Sequence, residues 1–116
     1  MDYAAVRHNM VESQIRTNDV TSVAVIAAMG EIPREKFVPQ DKADIAYVDE
    51  AIAVADGRYL MEPMVFARLL QIAQIGEDDV ALDIGCGTGY SSAVLASVAG
   101  TVVAVEEDAD LAQKAS

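Results

Sequence analysis

Cysteine and basic side chains are scarce in this sequence, and each shortage excludes a class of protein. Cys86 is the only cysteine among 116 residues, so no disulfide can form within the chain, and we expect a reducing, cytoplasmic location. Eight Lys and Arg residues stand against 19 Asp and Glu residues, and the basic ones are scattered. Surfaces that bind nucleic acid or anionic membranes need clustered basic side chains to neutralise phosphates, so we expect neither partner.

Long apolar runs are also missing. No segment approaches the roughly 20 residues that span a bilayer, and the N-terminus has no basic stretch followed by an apolar core. We therefore expect neither a membrane span nor export. Hydrophobic residues still make up 53% of the chain, which excludes a disordered protein and is rich for a small domain, so part of the apolar surface should meet a partner. No metal site is predicted.

The first predicted unit, residues 1–60, is a helical and irregular segment. The spacing of its apolar residues predicts an amphipathic helix from Tyr3 to Arg16. Asp19 or Thr21 is expected to cap a second helix, because both side chains can accept a hydrogen bond from a free backbone N–H of the first turn. Gly30 marks the expected end of that helix. Together these two helices form a helical hairpin.

The second predicted unit, residues 61–116, has the pattern of parallel α/β winding. It is preceded by a short turn after Pro33 and by an extended stretch around an Asp56–Gly57 turn. Pro63 suits the first turn of a helix with a wide apolar stripe. The segments VALDI and TVVAVEE are predicted as short buried strands, with a helix from Tyr90 to Ala99 between them and another helix after them. Strand, helix, strand and helix in this order favour a parallel sheet.

The segment ALDIGCGTGY places three glycines at alternate positions directly behind an apolar run. In a βαβ unit the turn into the helix must be tight and its backbone must come close to a ligand, and glycine permits both. Gly85, Gly87 and Gly89 form the pattern G-x-G-x-G, whereas the dinucleotide fingerprint has its third glycine one place later, where this chain has Tyr90. The spacing therefore disfavours NAD.

Acidic residues stand at the ends of both predicted strands. Asp83 precedes the glycine loop, where a carboxylate repels pyrophosphate but attracts an ammonium group, which fits a nucleotide that carries an amino acid. Glu106 follows 23 positions after Asp83, close to the offset of about 20 at which an acid meets ribose hydroxyls in such units. Glu107 is the alternative if the strand register differs by one. Cys86 is interpreted as a small loop residue rather than a nucleophile, because no partner histidine is indicated.

With these motifs the chain resembles the class I S-adenosylmethionine-dependent methyltransferases, and within them the protein-L-isoaspartate O-methyltransferase family. MVESQIRTNDV, AAMGEIPREKFVP, AYVDEAI and GRYLMEPMVFARLLQ are similar to the family's N-terminal part, VALDIGCGTGYSSAVLA to its cofactor motif, and VVAVEED to the strand that carries the ribose acid. The resemblance implies an α/β fold in which an N-terminal helical segment is followed by the first βαβ unit of a Rossmann-like methyltransferase domain. It also implies an O-methyltransferase.

The family transfers a methyl group from S-adenosylmethionine to the carboxylate of an isoaspartyl residue in a damaged protein. The resemblance therefore implies S-adenosylmethionine as cofactor and a protein or peptide as methyl acceptor. It places the ribose at Glu106, and it places around the methionine part of the cofactor the loop residues Asp83, Gly85, Gly87 and Gly89, with Cys86 in the same loop.

One segment of the family pattern, Thr-Ile-Ser-x-Pro-His, differs in this chain. With its proline aligned on Pro63, the chain has Tyr59, Met61 and Met64 where the family has Thr, Ser and His. Tyr59 is the candidate for supplying a hydroxyl to the catalytic site, and a packing aromatic is the alternative. A divergent methyltransferase with another acceptor, and a non-catalytic nucleotide-binding or interaction module, remain alternative functions.

The chain reaches Ser116 within the helix after the second predicted strand. The resemblance implies further strands, so we expect an N-terminal fragment with weak or no cofactor binding and no turnover of its own. A sheet of two parallel strands leaves backbone groups unpaired and apolar faces uncovered. We therefore expect a homo-oligomer.

Overall fold

Helices and turns form the first part of the chain, and two separate two-stranded sheets follow. The structure, a computed structural model, describes residues 1–116 throughout. Short helical turns lie between and after the first two helices. In chain order the helices and strands are α1 (Tyr3–Met10), α2 (Val23–Glu31), β1 (Ile52–Ala55), β2 (Arg58–Leu60), α3 (Pro63–Ala73), β3 (Val80–Ile84), α4 (Tyr90–Val98), β4 (Thr101–Val105) and α5 (Ala109–Ala115).

The first helix departs from the predicted continuous α-helix. Beyond Met10 the chain winds as a π-helix over Val11–Ile15 and as a 3₁₀ turn over Arg16–Asn18. Met10 and Ile15 are both buried, and because they are five positions apart, the wider i to i+5 turn places them on one side. Asp19 ends the segment in the left-handed region with a φ of 65°, a conformation that Asp tolerates better than most residues.

The cap of α2 is Ser22, so the expectation of Asp19 or Thr21 is wrong. Ser22 has extended backbone, and its side chain accepts a hydrogen bond from the Val25 N–H, as an N-cap requires. The left-handed Asp19 cannot take that role. Gln71 of α3 instead holds this junction: its side-chain oxygen accepts from the N–H groups of Thr21 and Ser22, and its amide donates to the Asp19 carbonyl.

Between α2 and β1 the chain makes two 3₁₀ turns, over Arg34–Phe37 and Gln40–Ile45. The expected turn after Pro33 is the first of these. Strands β1 and β2 then form an antiparallel hairpin with a bulge near Ala55. The Asp56–Gly57 turn predicted from the sequence joins them, and Gly57 has a φ of 68°, which glycine adopts without strain.

Strands β3 and β4 pair in parallel, from Val80 opposite Thr101 to Ile84 opposite Val105, with α4 as the crossover. The predicted strand–helix–strand–helix order is confirmed. The predicted burial of the two strands is wrong, however, because α4 covers only one face of this sheet. The uncovered face is formed by Val80, Leu82, Ile84, Val103 and Val105, each of them about half exposed or more.

The main core lies among the helices. Buried side chains of the N-terminal segment, α2, α3 and α4 form one cluster, which includes Met10, Ile15, Met29, Tyr47, Leu70, Tyr90 and Val94. Tyr90, the first residue of α4, is almost fully buried and packs edge-on against Phe37. The core thereby fixes the start of α4, where the glycine loop ends. No helix of this fold combines the length and the apolar composition that crossing a membrane would need.

Candidate functional site

The glycine loop lies between β3 and α4, at the carboxyl end of the parallel sheet. Gly85, Gly87 and Gly89 have φ values of 72°, 60° and 99°, a region that other residues rarely adopt. The N–H groups of Gly85 and Cys86 both donate to the Val105 carbonyl, at 2.7 and 3.2 Å. The loop is therefore tied to the end of β4, and its turn geometry accounts for the glycine at each alternate position.

The three glycines differ in what surrounds them. A Cβ atom placed on Gly87 would have nothing within 4 Å, and one on Gly85 would approach only the Arg58 guanidinium, at 3.9 Å. A Cβ on Gly89 would lie 3.2 Å from Ala115 of α5. Gly85 and Gly87 thus present uncovered backbone, whereas Gly89 also permits close packing of α5.

A cavity of about 320 Å³ opens beside the uncovered glycines. Its floor is the end of β3 and the loop, and its opposite wall comes from β2 and α3, including Leu60, Phe66 and Leu69. Nine of its fifteen lining residues are hydrophobic. Ligands of open α/β sheets bind in this place, outside the carboxyl ends of the strands, and a largely apolar pocket with few polar groups is typical of small-molecule sites.

Asp83 lies on the wall of this cavity. Its Oδ2 accepts hydrogen bonds from the hydroxyls of Ser91 and Ser92, at 2.6 and 2.7 Å. Both serines lie in the first turn of α4 and orient the carboxylate. No protein donor contacts Oδ1, so one carboxylate oxygen remains available to a ligand donor such as an ammonium group.

Glu106 directly follows β4, and only 2% of its side chain is exposed. Its Oε1 accepts from the Gly87 N–H at 2.8 Å and from Arg58 Nη2 at 2.5 Å. Its Oε2 accepts from Arg58 Nη1 at 2.9 Å and from the Asp108 N–H at 2.8 Å. The hydrogen bonds from Arg58, followed by that from Asp108, lower the pKa of Glu106 to about 2. Glu107 is exposed and makes no such contact.

Cys86 lies in the loop between these groups and is only 7% exposed. Burial is the main cause that raises the pKa of its thiol above the ordinary value, and the negative charge of Asp83 adds to it. The thiol therefore stays protonated at neutral pH and is a poor nucleophile. Cys86 is therefore a small loop residue, as the sequence suggested.

Tyr59 lies on the cavity wall, but 66% of it is exposed. The interpretation as a packing aromatic is therefore wrong. Its hydroxyl has no hydrogen-bond partner in the chain. Met61 also lines the cavity, whereas Met64 does not. The cavity wall thus carries a thioether and a phenol where the related segment has two small hydroxyls.

Several site residues were missed by reasoning from the sequence. Arg58 pairs with Glu106, Ser91 and Ser92 hold Asp83, and Thr88 donates from its hydroxyl to the Phe37 carbonyl at 2.6 Å. The two serines could have been suspected, since hydroxyls in the first turn of the helix after the loop lie near the strand end. Nothing in the sequence pairs Arg58 with Glu106, because 48 positions separate them.

The sequence profile of one family matches residues 5–116, and its description is Protein-L-isoaspartate(D-aspartate) O-methyltransferase (PCMT). The chain belongs to this family. Protein-L-isoaspartate O-methyltransferase 1 of Rhodopseudomonas palustris (strain HaA2) is 38% identical over 98% of this chain and 46% of its own length. The protein-L-isoaspartate O-methyltransferase of Protochlamydia amoebophila is 39% identical over 91% of this chain and 50% of its own length. The chain spans about half the length of the curated relatives it matches.

Solved structures share the fold. A protein-L-isoaspartate O-methyltransferase structure superimposes with a TM-score of 0.76 and 26% identity, over 94% of this chain and 36% of that chain. A putative member from Plasmodium falciparum, in complex with S-adenosyl-L-homocysteine, superimposes with a TM-score of 0.71 and 19% identity, over 99% of this chain and 53% of that chain. The predicted α/β fold class, a helical segment followed by a methyltransferase βαβ unit, is confirmed.

Proposed function

We propose that this chain carries the cofactor-binding loop of an S-adenosylmethionine-dependent O-methyltransferase that acts on isoaspartyl residues of damaged proteins. One observation carries the proposal: uncovered glycine backbone lies beside a cavity, with an acid at the end of each of the two parallel strands. Membership of the protein-L-isoaspartate O-methyltransferase family supports it. The S-adenosyl-L-homocysteine complex of the Plasmodium relative supports the cofactor.

The residues around the cavity fit the amino-acid end of this cofactor. Asp83 Oδ1 has no protein donor, so it can accept from the cofactor's ammonium group. Gly85 and Gly87 leave open space at the loop, where free backbone N–H groups near the start of α4 suit a carboxylate. Glu106 has the position and the charge to accept from two ribose hydroxyls, although Arg58 occupies it here.

The chemistry of such a site needs little beyond binding and orientation. S-adenosylmethionine supplies an activated methyl group, and the acceptor carboxylate, with a reference pKa of about 4, is already ionised at neutral pH. No general base is therefore required. The tasks left to Asp83, Glu106 and the glycines are to hold the donor in one orientation, while the apolar wall excludes water.

A second candidate, a methyltransferase with another acceptor, is favoured by the opposite wall. Tyr59 and Met61 stand where the family has small hydroxyls, and the neighbouring Leu60, Phe66 and Leu69 make that wall apolar. A bulkier or less polar acceptor than an isoaspartyl carboxylate would suit these side chains.

The cofactor site is tested by calorimetric titration of S-adenosylhomocysteine and of NAD into the chain and its Asp83→Asn variant. We expect weak binding of S-adenosylhomocysteine and no binding of NAD by the parent chain. The variant should bind S-adenosylhomocysteine about tenfold more weakly still, since a neutral amide loses a charge-assisted hydrogen bond. Asp78→Asn, in an exposed turn, is the matched control and should bind as the parent does. Preferential NAD binding, or equal affinity of the Asp83 variant, would contradict the proposal.

The uncovered face of the β3–β4 sheet supports a proposal about partners as well. Its five apolar side chains lie next to strand edges that pair with nothing else in the chain. A second copy of the chain carries the same apolar face and the same free edges. Pairing of the two copies would therefore cover the apolar face and the free edge of each. We therefore propose self-association through this sheet.

A further inference from the structure

The carboxylate of Glu106 has no free acceptor position in this structure. A carboxylate offers about four lone-pair sites, and four donors contact this one: two from Arg58 and one each from Gly87 and Asp108. The two backbone donors belong to the loop and to the start of α5, so they stay in place with the fold. The two guanidinium donors therefore occupy the positions that a pair of ribose hydroxyls would need.

Arg58 reaches this position from a different sheet. It begins β2, directly after the turn of the β1–β2 hairpin, and that hairpin pairs only with itself. The two hydrogen bonds to Glu106 are the only ones between the hairpin, residues 52–60, and the β3–β4 unit. The Arg58 side chain also lines the cavity and is 34% exposed. Its guanidinium can thus leave Glu106 for solvent without breaking either sheet.

We propose that Arg58 is a latch on the ribose-binding acid, which an adenosyl ligand must open before its ribose can reach Glu106. The inference rests on the cofactor site proposed above and adds a residue that limits affinity there. In the closed state the Arg58 guanidinium donates to both oxygens of the buried acid. In the open state the ribose hydroxyls replace the guanidinium, while Gly87 and Asp108 keep their hydrogen bonds.

Replacing the Arg58 guanidinium by ribose hydroxyls weakens the hydrogen bonding of Glu106. This cost is the reason that the latch lowers the affinity for the ligand. A bidentate arginine forms charge-assisted hydrogen bonds with the carboxylate, and hydroxyls replace them with weaker neutral donors. The observed affinity of a ligand equals its intrinsic affinity for the open site multiplied by the fraction of molecules whose site is open. Removing the guanidinium should therefore tighten binding of any ligand that uses Glu106, and should leave unchanged a ligand that reaches only Asp83.

The test compares Arg58→Gln with the parent chain and with Arg68→Gln, which removes the same charge from an exposed position of α3. Each protein is titrated with S-adenosylhomocysteine and, separately, with L-methionine, and binding is followed by the Gly87 amide signal in NMR spectra, which also detects weak binding. We expect Arg58→Gln to bind S-adenosylhomocysteine about three- to tenfold more tightly, since a partly exposed ion pair no longer competes. Arg68→Gln should match the parent, and methionine binding should be the same in all three.

Each other outcome is decisive. Equal or weaker binding of S-adenosylhomocysteine by Arg58→Gln would overturn the latch and leave the proposed cofactor site intact. An equal gain for S-adenosylhomocysteine and methionine would also overturn it, because the effect would not act through the ribose. No binding of S-adenosylhomocysteine by any of the three proteins would overturn the proposed function, and the latch with it.

Discussion

At the scale of single residues, Glu106 is the group whose protonation reports most directly on the site. Its pKa of about 2 lies below the ordinary 4.5. A carboxylate with a lowered pKa in the folded state contributes stability that is present above pH 4.5 and is lost as the pH falls through its folded value. The contribution of Glu106 should therefore disappear between about pH 4.5 and pH 2.

Arg58→Gln should raise the pKa of Glu106, because the hydrogen bonds from Arg58 are the largest cause of its depression. We expect the pKa to move from about 2 towards 4.5, measured by the NMR shift of the Glu106 carboxyl carbon. The free energy of unfolding of the variant should then fall less steeply below pH 4.5 than that of the parent. An unchanged carboxyl titration would show that Arg58 does not contact Glu106 in solution.

At the scale of elements, the two glycines Gly87 and Gly100, in the turns before and after α4, should respond differently to alanine. A Cβ on Gly100 would overlap the Glu77 carbonyl oxygen, so the turns at the starts of β3 and β4 would have to separate. Gly87 has open space but a φ of 60°, which costs a non-glycine residue about 1–2 kcal/mol. We expect Gly87→Ala to lose that amount of stability and Gly100→Ala to lose more, about 3 kcal/mol, the upper end of the usual range for overpacked sites.

Urea unfolding measures the loss of stability of both glycine variants. Titration with the ligand then shows which of them also affects binding. Gly87 lines the cavity and Gly100 does not, so Gly87→Ala should bind S-adenosylhomocysteine more weakly than its small loss of stability explains. If Gly100→Ala proved as stable as the parent, the close approach of Glu77 would be wrong.

Local signals in the sequence predicted most elements and missed the contacts between them. The helix after Pro63, the parallel strands and the glycine turn follow from patterns within a few residues of each other. The observed cap is Ser22 rather than the predicted Asp19 or Thr21, because Gln71, far along the chain, holds that junction by hydrogen bonds. The Arg58–Glu106 pair likewise depends on how the hairpin docks, which no local pattern contains.

At the scale of the whole molecule, strand burial is where prediction from the sequence failed. VALDI and TVVAVEE have the composition of strands covered on both faces, yet α4 covers only one face. The composition of these strands indicates that both faces of their sheet require apolar cover. In this chain no element covers the second face, so that face stays exposed. The exposed row from Val80 to Ile84 is therefore the surface through which we expect copies of the chain to associate.

Sedimentation velocity over a range of concentrations tests that association. The parent should show a concentration-dependent dimer or larger species, and Leu82→Glu should shift it to monomer, because a charge on the apolar face would be buried on pairing. Val23→Glu introduces the same charge at an exposed apolar position of α2 and should associate as the parent does. A parent chain that stays monomeric at all concentrations would refute self-association through the sheet.

We propose that the backbone between Ile84 and Tyr90 is left uncovered because an adenosyl amino acid binds there, between Asp83 and Glu106. Intermolecular nuclear Overhauser contacts between S-adenosylhomocysteine and the chain test it most directly. We predict contacts from the amino-acid part to the amides of Gly85 and Gly87, and from the ribose to the side chain of Glu106. Contacts confined to other surfaces, with the loop amides unaffected at saturating ligand, would contradict the account.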